Sequence, residues 1–173
     1  MGFKEARGFM PGAGGDTVKT FLRFILFLSL IVWLGGIIFF SSVVAPSIFS
    51  VLMPLTGGQH LAGNIVNLAL NALHVIGLIC GIVFVVASAI LSRSLRRPQL
   101  YLVLVMMSLT LISLFWVTPQ MIKLRQYDAM KVSAPATLPA SFDYLHSLSV
   151  GLECAVLLLG LCVVWLTARD LRE

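Results

Sequence analysis

The chain has 173 residues, 59% of them hydrophobic and only 11% charged, with a mean hydropathy of +1.01. That is too little charge to cover the surface of a water-soluble domain, so the class is integral membrane. The net charge of +5 does not imply a nucleic-acid partner, because the positive residues flank the apolar segments instead of forming a patch.

Residues 1–20 read as a flexible arm, and "MPGAGGDTVKT" ends in an Asp16-Thr17 helix-start signal. The arm is not a phosphate loop, since Val18 stands where the glycine before the lysine belongs. "MGFKEA" carries Ala6 where a myristoylation signal needs Ser or Thr. The first apolar segment covers about residues 21–45, close to the roughly 20 residues that cross a bilayer. It exceeds a signal-peptide core and lacks a small-residue cleavage site, so it is expected to be a retained span. Pro46, Pro54 and Gly57-Gly58 are expected to end this span and turn the chain.

The second span covers about residues 63–91 and the third about 100–118. The short connection "SRSLRRP" makes them antiparallel neighbours. Pro119 is expected to kink or end the third span, with "MIKLRQYDAMK" continuing as an amphipathic turn. "VSAPATLPA" is a linker in which Pro135 and Pro139 prevent helix. The fourth span covers about residues 144–168, with Ser141 as its cap and Asp143 in its first turn. Residues 21–173 thus form one all-α domain, an up-down four-helix membrane bundle. Nine of the 12 Lys and Arg residues fall on one side of a four-span chain; Lys123, Arg125 and Lys131 fall on the other. The positive-inside bias places both termini in the cytoplasm, in a multi-pass protein of the cell membrane.

One feature of the second span calls for explanation. "HLAGNIVNLALNALHV" carries His60, Asn64, Asn67, Asn71 and His74 at steps of four, three, four and three. At about 100° per residue these side chains fall within an arc of roughly 80°. Such a stripe is expected to face protein or a water-filled cavity, because an unpaired amide in hydrocarbon costs several kcal/mol. The fourth span has an answering face, where Asp143, His146 and Glu153 lie within about 80°. A rise of about 1.5 Å per residue puts His74 and Glu153 near the midplane and His146 only about 5 Å in. Glu153, an acid at mid-membrane, is a functional candidate, and His74 is its most economical partner. Below them Gly77 and Gly81 form a small-xxx-small pair where helices approach closely. The picture is a polar cleft open outward and sealed on the cytoplasmic side, with Asn64, Asn67, Asn71, His74, His146 and Glu153 as its candidate residues.

Plainer readings stand beside this one. Amides between membrane helices act as hydrogen-bond glue worth about 0.6 to 2 kcal/mol each. His60 near the interface reads as a solvated histidine, and Asp143 as a helix-dipole partner. Met106, Met107, Met121 and Met130 read as packing before they read as copper ligands. Cys80, Cys154 and Cys162 lie in apolar runs, an odd set that makes no disulfide framework, and Cys154 and Cys162 are expected to be inert core. Haem-attachment, zinc and serine-nucleophile motifs are missing, which favours a non-enzymatic role.

Three stretches, "VWLGGIIFFSSVVAPSIF", "LYLVLVMMSLTLISLFWVTPQMIKLR" and "FDYLHSLSVGLECAVLLLGL", resemble the transmembrane protein 205-like family, domain of unknown function 4149. The markers are Trp33-Leu34-Gly35-Gly36, Ala45-Pro46, Trp116 with Pro119 and Arg125, and His146 with Ser149. Glu153 departs from the pattern, since a polar amide is usual in the last span. The resemblance implies a four-helix membrane protein and supplies no reaction or cofactor. A more distant likeness joins its Trp-x-Gly spans and interior histidines to copper-resistance membrane domains and haem-binding protoporphyrinogen oxidases.

Three functions fit these residues. The first is binding of a small solute, ion or lipid in the cleft. The second is haem or copper redox chemistry with His60, His74 or His146 as ligands. His74 and His146 differ by roughly 10 Å in depth, awkward for two axial ligands of one haem. The third is a structural subunit, its ladder pinning the bundle, docking other membrane subunits or supporting a homo-oligomer.

Overall fold

Four helices in a computed structural model are long and apolar enough to cross a membrane: Gly15–Leu52, Gly58–Ile90, Pro98–Leu124 and Asp143–Arg169. The structure describes residues 13–91, 97–130 and 140–170. The beginning of the arm, Arg93 and Arg96 of the basic connection, Lys131 and the Pro135–Pro139 linker lie outside them. Six α-helices build the four spans: α1 (Ala13–Phe39), α2 (Ala45–Leu52), α3 (Gly58–Ile90), α4 (Arg97–Ile112), α5 (Thr118–Met130) and α6 (Ala140–Asp170).

The helix starts before its expected signals at two places. Residues 13–20, read as arm, already belong to α1, with Asp16 in the first turn accepting a 2.9 Å hydrogen bond from Thr20 Oγ1 at its carbonyl. Likewise α6 begins at Ala140, ahead of Ser141.

The prolines depart further from expectation. Pro46 does not end the first span, because the chain stays helical to Leu52. Phe40–Val44 form a π-helical turn in which the Ala45 N–H donates to the Phe40 carbonyl, five residues back. Pro46 has no N–H, and its ring would strike the carbonyl four residues back in a regular α-helix. The wider turn accommodates both defects. Span three repeats the device: Ser113–Val117 are π-helical, the Thr118 N–H reaches the Ser113 carbonyl, and Pro119 follows. The Thr118 hydroxyl adds a second bond of 3.0 Å to that carbonyl. The true end of the first span is at Leu52, and Gly57 (φ 73°) makes the turn into α3 in a backbone region that favours glycine.

The helices form a ring in which α1 packs on α3, α3 on α4, α4 on α6 and α6 on α1. Consecutive spans are therefore neighbours, and α3 and α6 stand on a diagonal. The main core gathers Leu26, Leu30, Trp33, Phe84, Val103, Met106, Val156 and Val163 from all four spans. Large apolar residues such as Phe24, Ile31, Leu68, Ile79, Phe115, Leu158 and Trp165 point outward. Such a surface suits acyl chains, where outward apolar groups cost nothing. Four hydroxyls within the spans are satisfied one turn back: Ser29 donates to the Ile25 carbonyl, Ser88 to Phe84, Thr110 to Met106 and Thr167 to Val163, whereas the buried Ser113 hydroxyl has no partner among the described residues.

Candidate functional site

Burial along α3 follows helical geometry. Eight of its eleven buried positions, Gly63, Asn67, Leu70, His74, Gly77, Gly81, Phe84 and Ser88, span about 100° at about 100° per residue, and Gly58, Ala62 and Ala87 extend the arc on the side away from the ladder. The polar ladder straddles one edge of that arc. His74 and Asn67 lie inside it and are 3% and 5% exposed. His60 and Asn71 are half-buried, and Asn64, about 60° beyond the edge, is exposed. The ladder is thus not a uniform interior stripe: Asn64 belongs to the outer surface because the centre of the α3 packing face is rotated away from it.

Across the diagonal, His74 Nε2 lies 2.5 Å from Glu153 Oε1. The two side chains are 3% and 15% exposed. The backbones of α3 and α6 are not principal neighbours, so this contact is made by side-chain length through the middle of the ring. At mid-membrane a pair without net charge avoids most of the desolvation penalty. Two proton placements satisfy that condition. Either the imidazolium Nε2–H donates to the carboxylate, or the carboxylic O–H donates to Nε2 of a neutral ring. Both leave a proton on Nδ1, which has no hydrogen-bond partner among the described residues. Asn67 Nδ2 and Asn71 Oδ1, on the same side of α3, are also buried without one.

Glu153 opens onto a cavity of about 460 Å³. α1 supplies Ile37 and Ile38, the π turn Phe40, Ser41 and Ser42, and α2 Ala45 and Phe49. α3 supplies Val66, Asn67 and Leu70, and α5 supplies Met121. α6 completes the wall with His146, Ser149, Val150, Glu153, Cys154 and Leu157. The first span packs on α3 through both α1 and α2, but only α1 also packs on α6, and the cavity lies where α2 lacks a comparable contact with α6. The π turn separates the two parts. Ile38, Val150 and Cys154 line the cavity yet are exposed, so its open flank lies between the first span and α6. The walls are mainly apolar. The polar cleft expected from sequence is therefore a mainly apolar chamber with a few polar groups from the first span, α3 and α6.

Of the expected residues, the structure brings Asn67, His146 and Glu153 to this cavity, and His74 joins through Glu153. Asn71 is half-buried behind the wall, and Asn64 takes no part. His60 and Asp143 do not line it, and Asp143 is exposed. Spans two and four run the same way, so with His74 level with Glu153, His146 sits about 10 Å nearer the α2 side. Among the described residues no three His, Cys, Asp or Glu side chains group as a metal site would. Met106 and Met107 pack in the core region, and Met121 is buried at the cavity. Cys154 and Cys162 are free and exposed, which corrects their expected place in the core.

Spacing alone did not single out Ser149 as a cavity residue, although it is buried and lies on the His146–Glu153 stripe, three residues after one and four before the other. Ser41 and Ser42 carried a weaker signal, a polar pair within an apolar helix just before Ala45-Pro46. Trp33 carried none for its packing role. It is 2% exposed, and its indole occupies the space that a Cβ on Gly77 would fill.

No curated protein and no solved structure matches the chain. A family model does match, over residues 28–129, from within α1 through most of α5. The matched segment contains Trp33, Asn67, His74 and both π turns, and stops before α6 with its Glu153. Covering more than half of a four-span membrane chain, it establishes that this protein belongs to the family described as a domain of unknown function, DUF4149.

Proposed function

We propose that the protein binds a membrane-soluble amphipathic molecule, of the lipid class, in the cavity between its first, second and fourth spans. The observation that carries this reading is the cavity itself: about 460 Å³, walled mainly by apolar side chains, with Asn67, Ser149 and Glu153 among its lining. That volume falls within the range of small-molecule sites, and a few convergent polar groups in an apolar wall orient a ligand. A flank open between helices gives acyl chains entry from the bilayer. Of the three ligand kinds compatible with the sequence, this favours a lipid over a hydrated ion or polar solute. The motifs from Trp33 to Gly36, Ala45-Pro46, Trp116 with Pro119, and His146 with Ser149 support placing the chain among transmembrane protein 205-like members. The distribution of Lys and Arg supports cytoplasmic termini in a cell membrane, with the cavity in the opposite leaflet.

The test is retention of lipid. Protein purified in mild detergent should carry near-stoichiometric lipid in native mass spectrometry, and Val150→Trp, which fills the exposed mouth, should lose it while remaining folded. Equal retention by both proteins would place the lipid elsewhere and end the proposal.

A further inference from the structure

The charge balance at the base of the cavity restricts the head group it can take. From α6, His146 and Cys154 share the cavity with Glu153, and from α3 the half-buried Cys80 packs against the main core. Among residues with described side chains, α1 offers only Asp16, Lys19 and Arg23 near its start, α4 only exposed Tyr101, and α5 only exposed Lys123. None of these is a fixed charge at mid-span, and α2 has no titratable group. An ionised head group entering such a space alone would meet no counter-charge, which low dielectric makes costly. The site stays neutral when an anionic ligand brings one proton with it, or when a cationic one displaces a proton.

Three observations select the acid. Asn67 Nδ2 is a buried donor at the cavity with no partner among the described residues, and a donor requires an acceptor oxygen. The buried Ser149 hydroxyl, about one turn above Glu153, is a second available donor to such an oxygen. The His74 imidazole, at hydrogen-bond distance from the Glu153 carboxylate, keeps a positive partner beside it when a second acid enters. We propose that the cavity takes a fatty-acid-class ligand together with one proton, and that the His74–Glu153 pair holds that proton. The inference rests on the lipid-binding reading above. The acyl chain lies along Phe40, Leu70 and Leu157, and the carboxylate accepts from Asn67 and Ser149. The arriving proton adds to the Glu153 carboxylate while His74 keeps its two N–H protons. One O–H bond forms, none breaks, and the occupied site is neutral like the empty one.

The experiment uses the full chain in detergent with sodium laurate, dodecylamine hydrochloride and dodecanol as probes. Binding is read by native mass spectrometry and proton exchange by an indicator dye in weakly buffered solution, with protein-free micelles subtracted. Wild type should prefer laurate and take up about one proton per laurate bound. Its apparent Kd should rise about tenfold per pH unit where free laurate is ionised. Glu153→Gln should flatten that slope, and Asn67→Leu should weaken laurate more than dodecanol. Laurate binding without proton uptake by wild type, or an unchanged slope in a folded Glu153→Gln protein, overturns the inference, and neither wild-type measurement depends on a variant folding. Preference for dodecanol or dodecylamine at a site blocked by Val150→Trp overturns the acid and leaves the lipid-binding reading standing. Failure of all three probes to bind there removes both.

Discussion

The two halves of the bundle use the same spans and differ in how closely the helices approach. In the half nearer the termini, Trp33 lies over Gly77 and Gly81, and Leu34 lies against Gly160. A Cβ on Gly81 would come within 2.7 Å of Met107 Cγ, and Cβ atoms on Gly77 and Gly160 would overlap Trp33 and Leu34. In the other half the first span, past its π segment, stays on α3 without a comparable contact with α6, and the space left beside α6 is the cavity. Glycine under a large side chain closes one half, and the loss of the contact with α6 opens the other. Membrane helices gain little from apolar burial, so their association depends on packing of this kind. The sealed half therefore bears the stability while the open half is free to carry buried polar groups.

Changing the sealed half should have the largest effect. Gly77→Leu drives a side chain into the Trp33 indole and should cost about 3 kcal/mol or prevent assembly, read as loss of a monodisperse detergent-solubilised species. Tolerance of Gly77→Leu at wild-type stability would mean that the close approach does not hold the bundle. Next comes the pair that joins the halves. Glu153→Leu leaves His74 buried without its partner and should cost about 3 kcal/mol in steric-trap or denaturant unfolding. Glu153→Gln, which keeps a hydrogen bond to Nε2, should cost about 1 kcal/mol. Equal losses would show that charge, and not hydrogen bonding, decides the contact. Val150→Trp, on the open half, should change stability by less than about 1 kcal/mol because it fills space and displaces no packed group. Smallest of all is Asn64→Leu, expected within about 0.5 kcal/mol of wild type because Asn64 is exposed. The contrast between Asn64 and Asn67, one turn apart, sharpens the boundary between lipid face and interior.

Much of the arrangement was legible in residue spacing. Four apolar runs and the turn at Gly57-Gly58 follow from local patterns, and the four spans are present, although the first runs on to Leu52, past its expected end near residue 45. The depth estimate that set His74 beside Glu153 needed only the rise of a helix, and the two side chains do meet. Spacing did not set the rotation of α3. The five ladder positions share an arc in any helix, but which edge turns inward depends on where Trp33 finds Gly77 and Gly81, a contact between two spans. The sequence reading makes Pro46 a helix end and Pro119 a kink or an end, because a proline is incompatible with a regular α-turn. The π turns that admit them depend on hydrogen bonds five residues back, and composition does not specify that register.

The sequence by itself determined a four-span membrane bundle, because apolar length against a bilayer of about 30 Å leaves little else. It also determined which polar residues share a depth, because the helical rise is constant. Only the tertiary structure decided that the space beside them is an apolar chamber open on its flank and that Asn64 stays outside. Both depend on the angle at which each helix presents itself to its neighbours, which is fixed by side chains packing across spans.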